Sequence, residues 1–329
     1  MTALLQVEGL HVELPGEEGA PLLALRDLSF AVAPGETFGI VGESGSGKSM
    51  TALAVLGLLP PQAKLGGSVL FAGRQLAGLS EREFVALRGD RIGMIFQEPM
   101  TALNPVHTVG RQVAEPLRLH RNLPRAAAAA RAVELLGLVG LPDPAARAGA
   151  YPHQLSGGQR QRVMIAQALA CEPDLVIADE PTTALDASVQ EQVLGLLLDL
   201  VRERGLALVL ISHDLTLVGR SVDRVAVMYA GRIVEQGPVA AVFDKLAHPY
   251  SHGLFAARPR LGTGGDERLP TVPGQVPHLG AVPRVGCSFA ARCSHARPIC
   301  RTLTPPHLPI GAGHTAACLR HDPQLWGAA

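Results

Sequence analysis

Eight consecutive residues carry the clearest chemical signal in the chain. Gly42-Glu43-Ser44-Gly45-Ser46-Gly47-Lys48-Ser49 satisfies G-x-x-x-x-G-K-[ST] at every fixed position. Glycines at this spacing let the backbone curl so that successive N–H groups face one anion. A helix opening just after them presents its positive end to the same charge. The pattern assigns Gly42 to Met50 to phosphate binding, with Lys48 reaching the outer phosphates and the Ser49 hydroxyl ligating Mg²⁺. The chain has three lysines, Lys48, Lys64 and Lys245, against 26 arginines. It keeps a lysine here, where a compact point charge suits better than a planar fork.

A second signal is Leu175-Val176-Ile177-Ala178-Asp179-Glu180, an apolar run ending in two acids. An acid pair is common at a solvated strand end, but behind a phosphate loop it supplies the missing chemistry. Asp179 would hold Mg²⁺ through its water shell, and Glu180 would accept the proton of an attacking water. A third signal lies in the last 43 residues, where Cys287, Cys293, Cys300 and Cys318 form C-x5-C-x6-C-x17-C. In a reducing compartment such a cluster reads as metal-binding rather than disulfide-forming. No tight C-x2–4-C pair is present, as structural zinc sites usually have. Four thiolates can hold a [4Fe–4S] cluster. Zinc, with His295 or His314 as substitute ligands, and free thiols are the other readings. Arg292, Arg297 and Arg301 stand near enough in sequence to offset a cluster's charge. Cys171, alone in an apolar stretch, reads as a core residue.

The elements that must position these groups follow from periodicity. Alternation over residues 4–33, broken at Pro15–Pro21, predicts antiparallel strands joined by a loop. Thr37–Val41 reads as a buried strand entering the glycine loop, with a helix over Ser49–Leu59. Residues 100–165 read as mostly helical, including an alanine run at Ala126–Ala132 leading into Val133–Val139. Strands at Leu175–Ala178, Leu206–Ile211 and Val225–Met228 and a helix over 187–203 complete an α/β pattern with a parallel core. From about residue 258 periodicity fades, and ten of the 26 prolines fall in the last 72 residues.

Composition narrows the function. Of the 329 residues 47% are apolar and 18% charged, which is globular, and formal net charge is zero. Nothing in that balance points to nucleic-acid binding through bulk electrostatics, and no nucleic-acid partner is expected. It hides eight arginines against three acids from Arg258 onward. No apolar run reaches the roughly 18–20 residues of a membrane span. No basic and then apolar leader opens the chain, so a cytosolic location is expected and any membrane role would come through a partner.

Leu155-Ser156-Gly157-Gly158-Gln159 is a signature sequence of ATP-binding cassettes. With Gln97, Ala184-Leu185-Asp186 and His213, it makes residues 4–245 resemble an ABC ATPase: a P-loop NTPase with a RecA-like parallel core, an N-terminal antiparallel β subdomain and an inserted helical subdomain. Ser156 and the Gly157–Gly158 amides would cap a helix start and form a second anion site. The resemblance implies that Leu155 to Gln159, with Asp186, complete the ATP site of an opposite subunit. It also implies that Gln97 contacts Mg²⁺ and the attacking water, and that His213 bonds the γ-phosphate and orients Glu180. The segments Gln97–Pro105, Tyr151–His153, Ala178–Asp186 and His248–Tyr250 are similar to the oligopeptide/dipeptide permease branch. Within it, Gly57–Pro60 and Arg91–Phe96 resemble the D-type ATPase subunit, whose tail implies a [4Fe–4S] cluster on the four cysteines.

The expected division is a cassette over 1–257, with its helical subdomain at about 98–165, and a small Cys/Pro-rich extension over 258–329. Implied partners are a second cassette (an F-type chain or another copy), two transmembrane permeases and an extracytoplasmic binding protein. The implied place is peripheral, on the cytoplasmic side of the inner membrane. ATP hydrolysis for peptide import is the expected function, with nickel or glutathione as other cargoes. A soluble repair-type ATPase would need a long coiled-coil insert, for which the 105 residues between Ser49 and Leu155 leave no room. The chain departs from the family at Leu14, where an aromatic usually stacks on adenine.

Overall fold

The computed structural model describes residues 2–16, 20–183, 185–257 and 271–327. Ala184, part of the Pro15–Pro21 break and the start of the proline-rich extension fall outside them. The chain makes two compact units, each gathered from several stretches. One takes residues up to Leu5, Ala31–Thr37 and Leu70–Ile211. The other takes Gln6–Phe30, Phe38–Val69 and the chain from Ser212 onward.

In the first unit, Ile92–Ile95, Leu175–Asp179 and Ala207–Ser212 form neighbouring parallel strands, in register Ile95↔Ala178 and Ala178↔Leu210. Every residue of the last two strands is buried. A parallel strand covered on both faces needs such an unbroken apolar run, and that is the sequence pattern seen. The helices Val109–His120, Arg125–Leu138 and Gly157–Ala168 pack on one another. Alanine favours helix more than any other residue, and Ala128 and Ala132 are fully buried where the neighbouring helix comes close. This is the mostly helical stretch that the sequence predicts.

In the second unit, Leu5–Leu14, Leu22–Val32 and Lys64–Phe71 lie side by side in one sheet. Thr37–Val41 runs parallel to Arg224–Tyr229, which turns back into the antiparallel strand Arg232–Pro238. The helix expected over Ser49–Leu59 begins one residue earlier and ends sooner, spanning Lys48–Val55.

The extension contains strands its sequence does not announce. His314–Ala316 pairs antiparallel with Arg232–Pro238 through Glu235↔Ala316 and Gln236↔Thr315, and Leu308–Gly311 adds outside it. Main-chain pairing to an existing edge replaces the side-chain alternation that a free-standing strand would need. Behind the pairing sits Glu235, with no exposed surface. Its carboxylate accepts from the Ala247 and His248 N–H groups at 2.8 and 2.9 Å and from His314 Nε2 at 2.8 Å. Buried Arg26 donates to the carbonyls of Pro283 and Val282 at 2.6 and 3.2 Å, tying the extension to the first hairpin.

Replacing Glu235 by Ala would strand His314 and two backbone donors in the interior. The expected cost is about 3–5 kcal/mol, read as a lower urea midpoint. An unchanged midpoint would show that Glu235 is not the fastener of the extension.

Candidate functional site

The phosphate loop, Gln97, the acid pair and His213 each follow the carboxyl end of a parallel strand, where open α/β sheets place their ligands. Thr37–Val41 runs directly into Gly42. Gly42 has φ +157°, and a Cβ there would stand 2.3 Å from the Met228 carbonyl oxygen, so only glycine fits. Gly47, also at positive φ, stands at the N-cap of the helix Lys48–Val55. Lys48 is 4% exposed, and its ammonium is held inside the loop by the carbonyls of Gly42 and Glu43 at 2.9 and 3.2 Å. Ser46 is fully buried with no partner for its hydroxyl, while Ser44 and Gly45 form the exposed lip and Ser49 and Met50 are half-buried.

Glu43 is fixed more firmly than its place in a loop requires. Its N–H donates to the Tyr250 hydroxyl at 2.9 Å, and its carboxylate receives both terminal nitrogens of Arg292 at 2.8 and 3.1 Å. Burial pushes the Tyr250 phenol well above its usual range, so it stays neutral.

In the first unit Leu175–Asp179 ends with buried Asp179, and Glu180 follows. Glu180 adopts φ +44°, a left-handed conformation rare outside glycine. Its N–H donates to Ile211 O at 2.9 Å, which fixes the turn. One Glu180 carboxylate oxygen receives Gln97 Nε2 at 3.3 Å and the Thr183 hydroxyl at 3.0 Å. The structure thus brings Gln97 to Glu180 and adds Thr183; the sequence reading assigned neither contact. His213 follows the strand Ala207–Ser212 and is exposed.

Ser156 caps the helix Gly157–Ala168. Its hydroxyl accepts from Gln159 N–H at 3.3 Å, and Gln159 Oε1 accepts from Ser156 N–H at 3.1 Å. Behind this reciprocal box the helix opens on exposed Gly157 and half-buried Gly158. A Cβ at Gly158 would meet Val189 at 2.6 Å. Leu155 is buried beneath them. Asp186 caps the helix Ala187–Glu203 by accepting from Val189 N–H at 3.0 Å, and that bond lowers its carboxyl below the usual range.

The four tail cysteines converge. Cys287, Cys293, Cys300 and Cys318 line one cavity of about 20 Å³ together with Phe289, His295, Arg320 and Trp326. Burial raises the Cys287 thiol to about 11, with the three other cysteines adding to it, and burial also raises Cys293 and Cys318. Four cysteines lining one cavity, two of them buried and two half-buried, are a soft donor set that only a cation would favour as thiolates. The cavity, however, has room for about one water. Among the described residues no group of three or more His, Cys, Asp or Glu side chains is arranged to hold a metal ion. The donor type therefore fits a thiophilic metal, while the spacing is not that of a cluster.

The charge assignment in the tail needs correction. Arg292 is committed to Glu43 and to the carbonyls of Val272, Pro273 and Gly274. Arg297 lies over the Trp326 ring at 4.2 Å and donates to its carbonyl. The guanidinium that eases ionisation of Cys293 and Cys318 is Arg320. Sequence proximity pointed to Arg292 and Arg297, whose side chains are engaged elsewhere.

Residues 25–183 match the ABC transporter family model, and residues 234–300 match the oligopeptide/dipeptide transporter C-terminal region. A probable peptide ABC transporter ATP-binding protein of Sinorhizobium fredii is 52% identical over 97% of this chain and 95% of its own. The oligopeptide transport ATP-binding protein OppD of Salmonella typhimurium is 49% identical over 98% of this chain and 95% of its own. A dimeric ATP-binding cassette in a post-hydrolysis state, bound to ADP and Pi, matches with a TM-score of 0.64. It is 31% identical and covers 71% of this chain and 98% of its own. No described helix is long and apolar enough to cross a membrane. The phosphate loop, the acid-terminated strand and the capped signature helix agree with these likenesses: the chain is an ATPase of the ABC transporter family, in the branch of oligopeptide and dipeptide ATP-binding proteins.

Proposed function

We propose that this chain hydrolyses MgATP in a sandwich with a second cassette to drive import of di- and oligopeptides through two transmembrane partners. The observation that carries the catalytic part is the Glu180 carboxylate, set by a left-handed backbone and shared by Gln97 and Thr183. Fixed hydrogen bonds at a general base hold it in one orientation, so no rearrangement is needed as it takes a proton. In this reading Lys48 and the loop amides from Gly42 to Met50 bind the β- and γ-phosphates. Ser49, Gln97 and Asp179 hold Mg²⁺, and Glu180 takes the proton of the attacking water while His213 bonds the γ-phosphate. ATP and water become ADP and phosphate. Ser156, the Gly157 and Gly158 amides, Leu155, Gln159 and Asp186 serve the site on the opposing cassette, an F-type chain or a second copy.

Peptide cargo rests on the names of relatives that match nearly the whole chain. The cargo enters through an extracytoplasmic binding protein and the permeases, so this chain sits peripherally on the cytoplasmic face of the inner membrane. Phe96, Met100 and Val106 are 40%, 52% and 73% exposed around the loop that carries Gln97. Apolar side chains left outside in this way suit a surface for those permeases, and the loop would transmit closure to them.

The tail is proposed to hold a structural metal centre on Cys287, Cys293, Cys300 and Cys318, a [4Fe–4S] cluster, with zinc as the rival. Its contribution when bound is cross-linking of a proline-rich segment with little apolar surface to bury. The small cavity requires the thiols to move apart for a cluster, and this is the feature that keeps zinc in contention.

Glu180→Gln is expected to lower turnover about 10²–10⁴-fold while ATP still binds, as measured by phosphate release and by nucleotide trapping. Unchanged turnover would remove Glu180 as the base. Iron, acid-labile sulfide and zinc should be measured on anaerobically purified protein. About four irons and four sulfides per chain, lost on Cys→Ser change, support the cluster. About one zinc, or no metal, rejects it and leaves the ATPase assignment standing.

A further inference from the structure

The contact between Glu43 and Arg292 joins the second residue of the phosphate loop to a side chain 249 positions later. Several features set it apart from an ordinary surface ion pair. The Arg292 side chain is 6% exposed and that of Glu43 is 28% exposed. Both terminal guanidinium nitrogens reach the carboxylate, which is the bidentate geometry that makes such pairs strong and directional. The third nitrogen, Nε, donates to Pro273 O at 2.6 Å, with Val272 O and Gly274 O at 3.4 and 3.2 Å from one terminal nitrogen. The guanidinium also lies 5.6 and 5.8 Å from the Tyr229 and Phe289 ring centres. Those two rings pack edge to face at 5.2 Å, and Tyr250 joins them at 4.7 and 5.4 Å. Tyr250 is the residue whose hydroxyl receives the Glu43 N–H. Glu43 is therefore gripped at its amide and at its carboxylate from a single packed cluster.

The loop has a reason to need this. It must accept a nucleotide with several negative charges, and its second residue is an acid. A carboxylate at that place repels phosphate unless it is neutralised. The Lys48 ammonium donates to the main-chain carbonyls of Gly42 and Glu43. The Glu43 carboxylate oxygens accept from the two terminal nitrogens of Arg292.

We infer that Arg292 is a positioning residue for nucleotide binding: from the C-terminal extension it cancels the Glu43 charge and thereby sets the affinity of the phosphate loop for MgATP. The inference rests on the assignment of Gly42 to Met50 as the ATP site. It gives the extension a part in the nucleotide site of its own chain, apart from any metal the cysteines hold.

The test uses the full chain, with affinity read by ATP displacement of a fluorescent ATP analogue and turnover read by phosphate release. Arg292→Gln should weaken MgATP binding and raise its KM about tenfold, the scale of one uncompensated charge near an anion, with kcat within about twofold. Arg292→Lys keeps the charge but loses the fork and the carbonyl contacts, and should stay within about threefold of the parent. Adding Glu43→Gln to Arg292→Gln removes the exposed carboxylate and should recover most of the lost affinity, a coupling that only interacting residues show. An unchanged affinity in Arg292→Gln overturns the inference. So does a double variant as weak as the single one, or Arg292→Lys as weak as Arg292→Gln, because a merely unfolded extension would behave in those ways. Lys48→Ala separates this from the underlying assignment. If it leaves ATP binding intact, the ATP site itself is misassigned. If it abolishes binding while Arg292→Gln matches the parent, only the role of Arg292 fails.

Discussion

Main-chain amides can surround a phosphate only if the backbone curls more tightly than side chains permit. That requirement governs residues 42–48 and, through them, much of the surrounding architecture. Gly42 lies against the Met228 carbonyl so closely that no other residue could replace it. The strand carrying Met228 must therefore be rigid and must run parallel to Thr37–Val41, as it does in register from Phe38↔Arg224 to Val41↔Val227. A mobile neighbour would let the curl relax and scatter the N–H groups. Stiffness here comes from burial of residues 38–41 and 225–229, which costs the chain freedom to vary them. The chemistry sits on loops, but its precision belongs to the strands beneath.

Much of this was legible because strongly constrained positions leave strongly constrained sequence. The curl needs glycines at set intervals, the strands need unbroken apolar runs, and a capped helix needs Ser156 three residues before Gln159. Each requirement is local, so each appears in adjacent letters. The strained turn at Glu180 was not legible, since nothing in its neighbours demands a left-handed acid and its fixing bond comes from Ile211. Thr183 was invisible for a similar reason, because a hydroxyl after a proline has many ordinary uses. The tail strands were hidden because pairing to Glu235 and Gln236 supplies their order. Arg292 and Arg297 were read by proximity to the cysteines, and the fold turns them to Glu43 and Trp326.

The extension is held by polar interactions to an unusual degree. Glu235 collects two backbone donors and His314, and Arg26 spends its guanidinium on carbonyls of residues 282 and 283. Burial pushes His248 down to about 3, with His321 and His307 adding to it. Its neutral ring then accepts the Tyr250 N–H and keeps that tyrosine in line with Glu43. Directional bonds of this kind specify one docking arrangement, where an apolar patch alone would tolerate several.

The span between Glu43 and Arg292 also has a meaning in time. A ribosome adding about 5–20 residues per second makes Arg292 roughly 12–50 s after Glu43, and Tyr250 somewhat sooner. Thr37–Val41 emerges early and Arg224–Tyr229 later, yet both precede Arg292, so the carboxylate within the loop waits for its counter-charge after both strands are made. A nascent cassette therefore carries a loop with the right curl and the wrong charge. A chain released between Tyr229 and Arg292 would share that condition, with the part of the molecule that captures fuel shaped but not yet balanced in charge.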